Sequence, residues 1–416
     1  MQATVLTDDR RGPSGPAGPG RSRRRRAASV AAWSAPALAV AVAAVAMVAG
    51  AAQKVSCIPA PQMACYSDIN SLWSARYLAS HVFPYIHGGI QGTHFVGHEL
   101  EYPVLTGIFV WLCSLPAHSA LVFMLVTVAA LAPFGLLTAW LLGRMVGRRA
   151  LYFSAAPTLV WYAFLNWDLL GVSAAVAAVF AWSRGRFRAA AVLLGLGACF
   201  KLWPGYLMLP LVADLLCRRR WRDAMWSLVA ATSVVLAANV PFMIVNYQGW
   251  RAPLVFQSLR PADLSANSLW TVVAPWATSV GTVNRLAAGA CGLAFLVVLV
   301  AGYRRFRREG SFPFVQTSVA LVAAFIVFGK VHSPQYALWV LPFFALLRLR
   351  RGWWILFLAS DVWLFAQFTG FSAVNASLDH SAIVISDAVL LALSWVAMRS
   401  ESAVSYLGPG LPQLLG

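Results

Sequence analysis

AAAVLLGLGACFKLWPGYLMLPLVADLL, residues 189–216, is an apolar run of 28 residues with arginine at both ends: Arg188 before it, and Arg218, Arg219, Arg220 and Arg222 after it. In a membrane protein such clusters stay on the cytoplasmic side, so the run has to leave that side and return. As one helix it measures about 42 Å, little more than one crossing of a hydrocarbon layer about 30 Å thick. Two half-length helices hinged at KLWPG (201–205) satisfy both limits. Broken helices at membrane depth are tolerated where they line a cavity. Lys201 then lies about half-way through the bilayer, as a functional group or as a counter-charge to Asp214.

The rest of the chain has the same character. Of its 416 residues 60 % are hydrophobic and only 11 % charged, against about 25 % charged in soluble domains. The net charge of +18 sits mostly in short arginine clusters between apolar runs, at 21–26, 144–149, 184–188, 218–222, 304–308 and 348–351. That is the positive-inside pattern, and it excludes nucleic acid as the partner of this charge. The fold class is an all-α polytopic membrane protein with the lipid bilayer as partner.

Counting spans from these clusters gives about 10–12 transmembrane helices. Residues 1–28, rich in Gly, Pro, Ser and Arg, are expected to be a disordered cytoplasmic tail. The run at 30–52 exceeds a signal core of roughly 7 to 15 residues and is expected to remain as the first helix. It delivers the chain to a first outer loop, 53–118, in which PVLTGIFVWLCSLPA (103–117) is too short to span and is expected at the interface. Further spans are expected at 119–142, 150–166, 168–183, 223–246, 283–301, 312–329, 336–347, 353–369 and 381–398. NWD (166–168) forms a tight outer turn, 247–282 a second outer loop, and 401–416 a cytoplasmic tail. Both termini are then cytoplasmic in a plasma-membrane protein. Six cysteines are too few for a disulfide scaffold; Cys57 and Cys65 share the first outer loop, where a bridge and two free thiols both fit.

Seven of the 32 basic residues fall outside the cytoplasmic clusters: Lys54, Arg76, Lys201, Arg251, Arg260, Arg285 and Lys330. The acids expected on the outer side are Asp68, Glu99, Glu101, Asp168, Asp263 and Asp379. Carboxylates and cations converging at a membrane face suit proton abstraction from a hydroxyl while cations hold a phosphate leaving group. Asp68 precedes a helical pattern whose flank is Ile69, Leu72, Trp73, Arg76 and Tyr77, and it reads equally as a helix cap or as a base. Lys330, His332 and Gln335 cluster around Pro334 at the end of a span, at the depth of a lipid phosphate. Arg251 and Arg260 lie in the second outer loop, and arginine suits phosphate by its planar fork. His94 and His98 have a helical metal-ligand spacing, but Gly97 and Pro103 oppose a helix there, so no metal site is assigned.

In series, CYSDINSLWSARYL (65–78), HELEYPVLTG (98–107), NWDLLGV (166–172), GLGACFKLWPGYLMLPL (195–211) and KVHSPQYALWVLP (330–342) resemble the multi-spanning family 87 glycosyltransferases. Their relatives include polyprenyl-phosphate-mannose-dependent α-mannosyltransferases of actinobacterial envelopes, among them those acting on phosphatidylinositol mannosides. The resemblance implies a GT-C type bundle, a lipid-phosphate sugar donor, a glycolipid or glycan acceptor, and inverting transfer on the outer face. It makes Asp68 the general base and places Lys330 and His332, with Arg260 and Arg251, at the donor phosphate. Glu101, Arg76, Tyr102, Lys201, Gln335 and Tyr336 are expected to line the substrate cleft, with no cofactor and no metal. A transporter or flippase of lipid-linked sugars is the alternative, since broken helices and an intramembrane lysine also occur there. Formation of a glycosidic bond in detergent distinguishes the two.

Overall fold

The computed structural model describes residues 20–58, 65–92, 94–97, 99–263, 266–369 and 376–404, with backbone alone for 20–34 and 376–377. Helix α1 (Gly20–Ser56) begins inside the stretch expected as a disordered tail; residues 1–19 and 405–416 lie outside the described ones. A disulfide joins Cys57 to Cys65 just beyond its end. The segment expected as the first outer loop then folds as α2 (Asp68–Ala75), a two-stranded hairpin of β1 (Gly89–Gln91) and β2 (His94–Val96), and α3 (Val104–Ser114). At 11 residues, α3 is about 16 Å long, half a bilayer.

The long helix α4 (Ala120–Val146) packs along α1, and Gly143 allows the close approach: a Cβ there would lie 2.6 Å from the Pro36 Cα. Small residues bring membrane helices together in this way. The run at 150–166, expected as one span, is divided into α5 (Leu151–Ser154) and α6 (Pro157–Tyr162). The reason is Pro157, which has no N–H for a continuing helix and occupies the first turn of the next.

Helices α7 (Asp168–Ser183) and α8 (Phe187–Phe200) run back along each other, joined by a turn with Gly185 at φ 70°. The hinge follows as expected: Lys201 is extended, Trp203–Leu207 forms a 3-10 turn led by Pro204, and α9 (Met208–Cys217) returns. With 16 and 14 residues, α7 and α8 rise about 24 and 21 Å. Their paired ends put Lys201 level with Asp168 at the start of α7. Lys201 is therefore at the NWD turn, paired with Asp168 rather than Asp214, which takes Arg218 as its partner instead.

After α10 (Trp221–Val245), the expected outer loop at 247–282 is largely helical, with α11 (Tyr247–Leu259) and α12 (Trp270–Val273). The Asn246 side chain accepts the Gly249 N–H and so starts α11, as Asn does well at a cap. The chain continues through α13 (Val280–Glu309), α14 (Phe314–Phe328), α15 (Ala337–Leu346), α16 (Arg351–Phe368) and α17 (Ala376–Ala397). Among the described residues, five stretches are long and apolar enough to cross a bilayer, those of α1, α4 with α5, α10, α13 and α17. Helices α7, α14 and α15 are buried on nearly every side, whereas α10, packed on α8, and α13, packed on α14, bury few residues fully and leave one side exposed. A helix that is apolar all round and exposed faces lipid. The protein is thus an all-α polytopic bundle, with the short helix α2 packed over its buried centre.

Candidate functional site

Asp68 opens α2, but it does not cap it: Ser67 is the capping position and makes no side-chain cap bond. The Asp68 carboxylate instead receives two side chains from outside its helix. Tyr66 Oη donates to Oδ1 and Asn166 Nδ2 to Oδ2, each at 2.5 Å. Its backbone N–H donates to Leu165 O at 2.9 Å, so the turn before α7 clamps both backbone and side chain of this residue. Ile69, Leu72 and Trp73 are buried beneath it, as the helical flank predicts. Arg76 is already the C-cap, and Tyr77 leaves the helix in the left-handed region at φ 51°.

Burial raises the Asp68 carboxyl above its ordinary range; the hydrogen bonds from Tyr66 and Asn166 and the charge of Lys201 pull it back, and Glu101 raises it slightly. Burial and the same carboxylate push the Tyr66 phenol up, so it stays a donor. Each carboxylate oxygen holds one bond and has a second lone pair open to a hydroxyl.

Around this centre stand Tyr102, whose hydroxyl accepts a second bond from Asn166 Nδ2 at 2.9 Å, and Lys201, which lies 5.5 Å from the Tyr102 ring centroid. Lys201 Nζ is 3.1 Å from Asp168 Oδ1, which also accepts the Trp339 indole N–H at 2.7 Å. Glu101 is held by a two-point pair with Arg76, at 2.8 and 3.2 Å. Tyr336 and Arg260 lie within electrostatic range of this group: Tyr336 feels Asp168, Arg260 and Asp68, and Tyr66 feels Arg260.

Of the cluster expected at the donor phosphate, Arg260 lies within electrostatic range of Lys330, and the Lys330 ammonium is lowered by burial and then by Arg260. Two cations in one neighbourhood suit an anionic phosphate. Lys330, however, spends its donors on Gln257 O, Ser258 O and Asn284 Oδ1, so it ties α11 to α13. His332 is buried with Nδ1 2.9 Å from Asp387 Oδ1 on α17, and Gln335 accepts from Ser333 at 2.6 Å. Arg251 stacks toward Tyr247, 5.8 Å from its ring centroid, with its Nε unbonded, and shows no link to Asp68. His94 is on a strand, so the helical metal spacing does not arise, and His98 lies outside the described residues. Among the described residues no three His, Cys, Asp or Glu are grouped to hold a metal ion.

Three members of the site have no role assigned from the sequence. Asn166 is read there as part of a tight turn, and Asp168 as part of that turn and as one of the few outer acids. Two polar side chains flanking Trp167 between long apolar runs were the available signal. Tyr66 carries no such signal; its support Lys54, whose buried ammonium donates to Tyr66 O at 2.9 Å, is one of the seven cations outside the cytoplasmic clusters.

A search of curated proteins finds no match to the chain. The sequence profile of glycosyltransferase family 87 matches residues 101–329, more than half of the chain, from Glu101 through the hinge to the end of α14. Asp68, Lys330 and His332 flank the matched region. On that match, and with a polytopic bundle enclosing a clamped carboxylate, the chain belongs to glycosyltransferase family 87 and is a membrane glycosyltransferase.

Proposed function

We propose that this enzyme transfers mannose from a polyprenyl-phosphate donor to a glycolipid or glycan acceptor at the outer face of the plasma membrane, with inversion and with Asp68 as general base. The observation that carries the reading is the Asp68 carboxylate. It is clamped by two neutral donors, set in an environment that raises its proton affinity, and near Lys201 and Arg260. A base works best when its pKa is drawn toward the working pH.

In this reading the acceptor hydroxyl binds the open lone pair of Asp68, which takes its proton as the oxygen attacks the anomeric carbon. The bond from that carbon to the phosphate oxygen breaks, and the phosphate leaves with the electron pair. Arg260 and Lys330 face the developing charge, Lys330 by exchanging one of its backbone carbonyls for a phosphate oxygen. His332, oriented by Asp387, and Arg251 serve the donor from further away. Glu101 with Arg76, together with Tyr102, Lys201, Gln335 and Tyr336, shapes the cleft. The step uses only these side chains and no metal. Family membership favours transfer over transport of the lipid-linked sugar.

The test is product formation by the purified protein in detergent from polyprenyl-phosphate mannose and a mannoside acceptor. Asp68→Asn is expected to lose transfer by about 10²- to 10⁴-fold, the usual contribution of a general base, while donor binding persists. Wild-type turnover in Asp68→Asn would remove Asp68 from the reaction, and transfer from another sugar donor alone would overturn the choice of mannose.

A further inference from the structure

At the end of α13 remote from the candidate site, a cleft of ≈ 710 Å³ opens between α13 and the end of α17. Its depth follows from helix rise. Asn284, in the second turn of α13, bonds Lys330 beside the site. From Asn284 to Arg304 is 304 − 284 = 20 residues of one helix, about 30 Å, the thickness of the hydrocarbon layer. The cleft therefore lies at the bilayer boundary opposite Asp68, where the arginine clusters gather.

Its walls divide by chemistry along the helix. Toward the bilayer centre they are apolar, with Val297, Val300 and Ala301; at the boundary they are basic, with Arg304, Arg308 and Arg399. Arg305 closes the floor, donating to Met398 O and Ser400 O at the end of α17 and pairing with Glu309. That pairing takes up the one acid of the cleft. Among the described residues, Arg304 and Arg308 make no side-chain hydrogen bond or ion pair, and both are exposed. Arg399 lies 3.8 Å from the Trp395 ring centroid and donates one N–H to Trp395 O at 3.1 Å, and the residue is otherwise exposed.

We infer that this cleft binds one anionic phospholipid of the leaflet opposite the active site, with an acyl chain along Val297, Val300 and Ala301 and the phosphate headgroup on Arg304, Arg308 and Arg399. Charge complementarity selects the occupant: an apolar slot inside the bilayer that ends in unpaired guanidinium groups fits a phosphate with a lipid tail. The inference depends on the membrane embedding of α13 and not on the transfer chemistry.

The experiment is thermal unfolding of the full-length protein in detergent during titration with phosphatidylglycerol, phosphatidylcholine or inorganic phosphate. Phosphatidylglycerol is expected to raise Tm saturably, and the other two to leave it unchanged. In Arg304→Gln/Arg308→Gln the apparent affinity should fall about 30-fold, from about 1 kcal/mol for each basic residue at a membrane surface. Arg184→Gln, a basic residue at the end of α7 outside the cleft, should leave it unchanged. Equal stabilisation by phosphatidylcholine, full affinity in the double variant, or an equal loss in Arg184→Gln would each overturn the site. A Tm rise with phosphate alone would overturn the lipid. Concentration-dependent dimerisation abolished by the double variant would assign the cleft to a second copy instead.

Discussion

Replacing Tyr66 by Phe removes one atom from the site and moves one measurable quantity. The Tyr66 hydroxyl donates to Asp68 Oδ1 at 2.5 Å, and among the groups that lower the Asp68 pKa it acts most strongly, ahead of Asn166 and Lys201. The ring remains, edge-on to Phe368 at 5.0 Å between centroids, so packing is kept. A hydrogen bond to an ionised group contributes about 1.5–3 kcal/mol. Tyr66 is partly open to solvent, and water takes over part of the lost bond, which places the effect near the lower end. About 1.4 kcal/mol corresponds to one pKa unit. Loss of the bond destabilises the carboxylate and leaves the acid untouched, so the pKa of Asp68 rises further. In Tyr66→Phe the acid limb of kcat/KM therefore moves up by about one pH unit, while the high-pH plateau stays within a few-fold of wild type. The assay is mannosyl transfer in detergent across the acid range, with donor and acceptor subsaturating. An unmoved acid limb with activity lost equally at every pH would refute the reasoning and give Tyr66 a direct role on substrate. A downward shift would show that the limb belongs to another group.

Two further outcomes concern stability. Lys201→Met leaves the buried Asp168 without its cation, and the Oδ2 oxygen of that carboxylate already lacks a partner; breaking a buried pair on one side costs about 3–5 kcal/mol, and Lys201→Met/Asp168→Asn should recover part of it in thermal unfolding. A Lys201→Met protein as stable as wild type would deny the pair its role in holding the hinge to α7. Glu99 accepts the Tyr85 N–H at 2.9 Å with its other oxygen unbonded, and burial lifts its carboxyl from 4.5 to about 7. Between those values the folded protein holds a proton that the unfolded chain has released, so stability falls as pH rises through that window. Glu99→Gln keeps an acceptor for Tyr85 and should unfold at the same temperature as wild type near pH 4.5 but at a higher one near pH 8; a gap independent of pH would contradict this.

The membrane class, the hinge at KLWPG and most of the helices were legible in residue order, although only five stretches among the described residues are long and apolar enough to span. A bilayer is a ruler of fixed thickness, and apolar length measured against it is a local property of the chain. The cap at Asn246 and the break at Pro157 are local as well, yet each was missed, because within an apolar or loop-like run a single punctuating residue carries little weight. Family resemblance rested on motifs in series, and Glu101 to Gly329 matched as a family. What residue order did not contain was the partnership of polar groups. Asp68 meets Asn166 across 98 positions, and Lys330 meets Gln257 and Asn284 across 73 and 46. Such pairings depend on which helices become neighbours and how each is rotated, which no local period encodes. Residue order therefore marked Asp68 as one of few acids, in the polar stretch after the first apolar helix. The tertiary structure decided that it is a clamped carboxylate rather than a helix cap, because its two donors come from the chain before α2 and from the turn before α7.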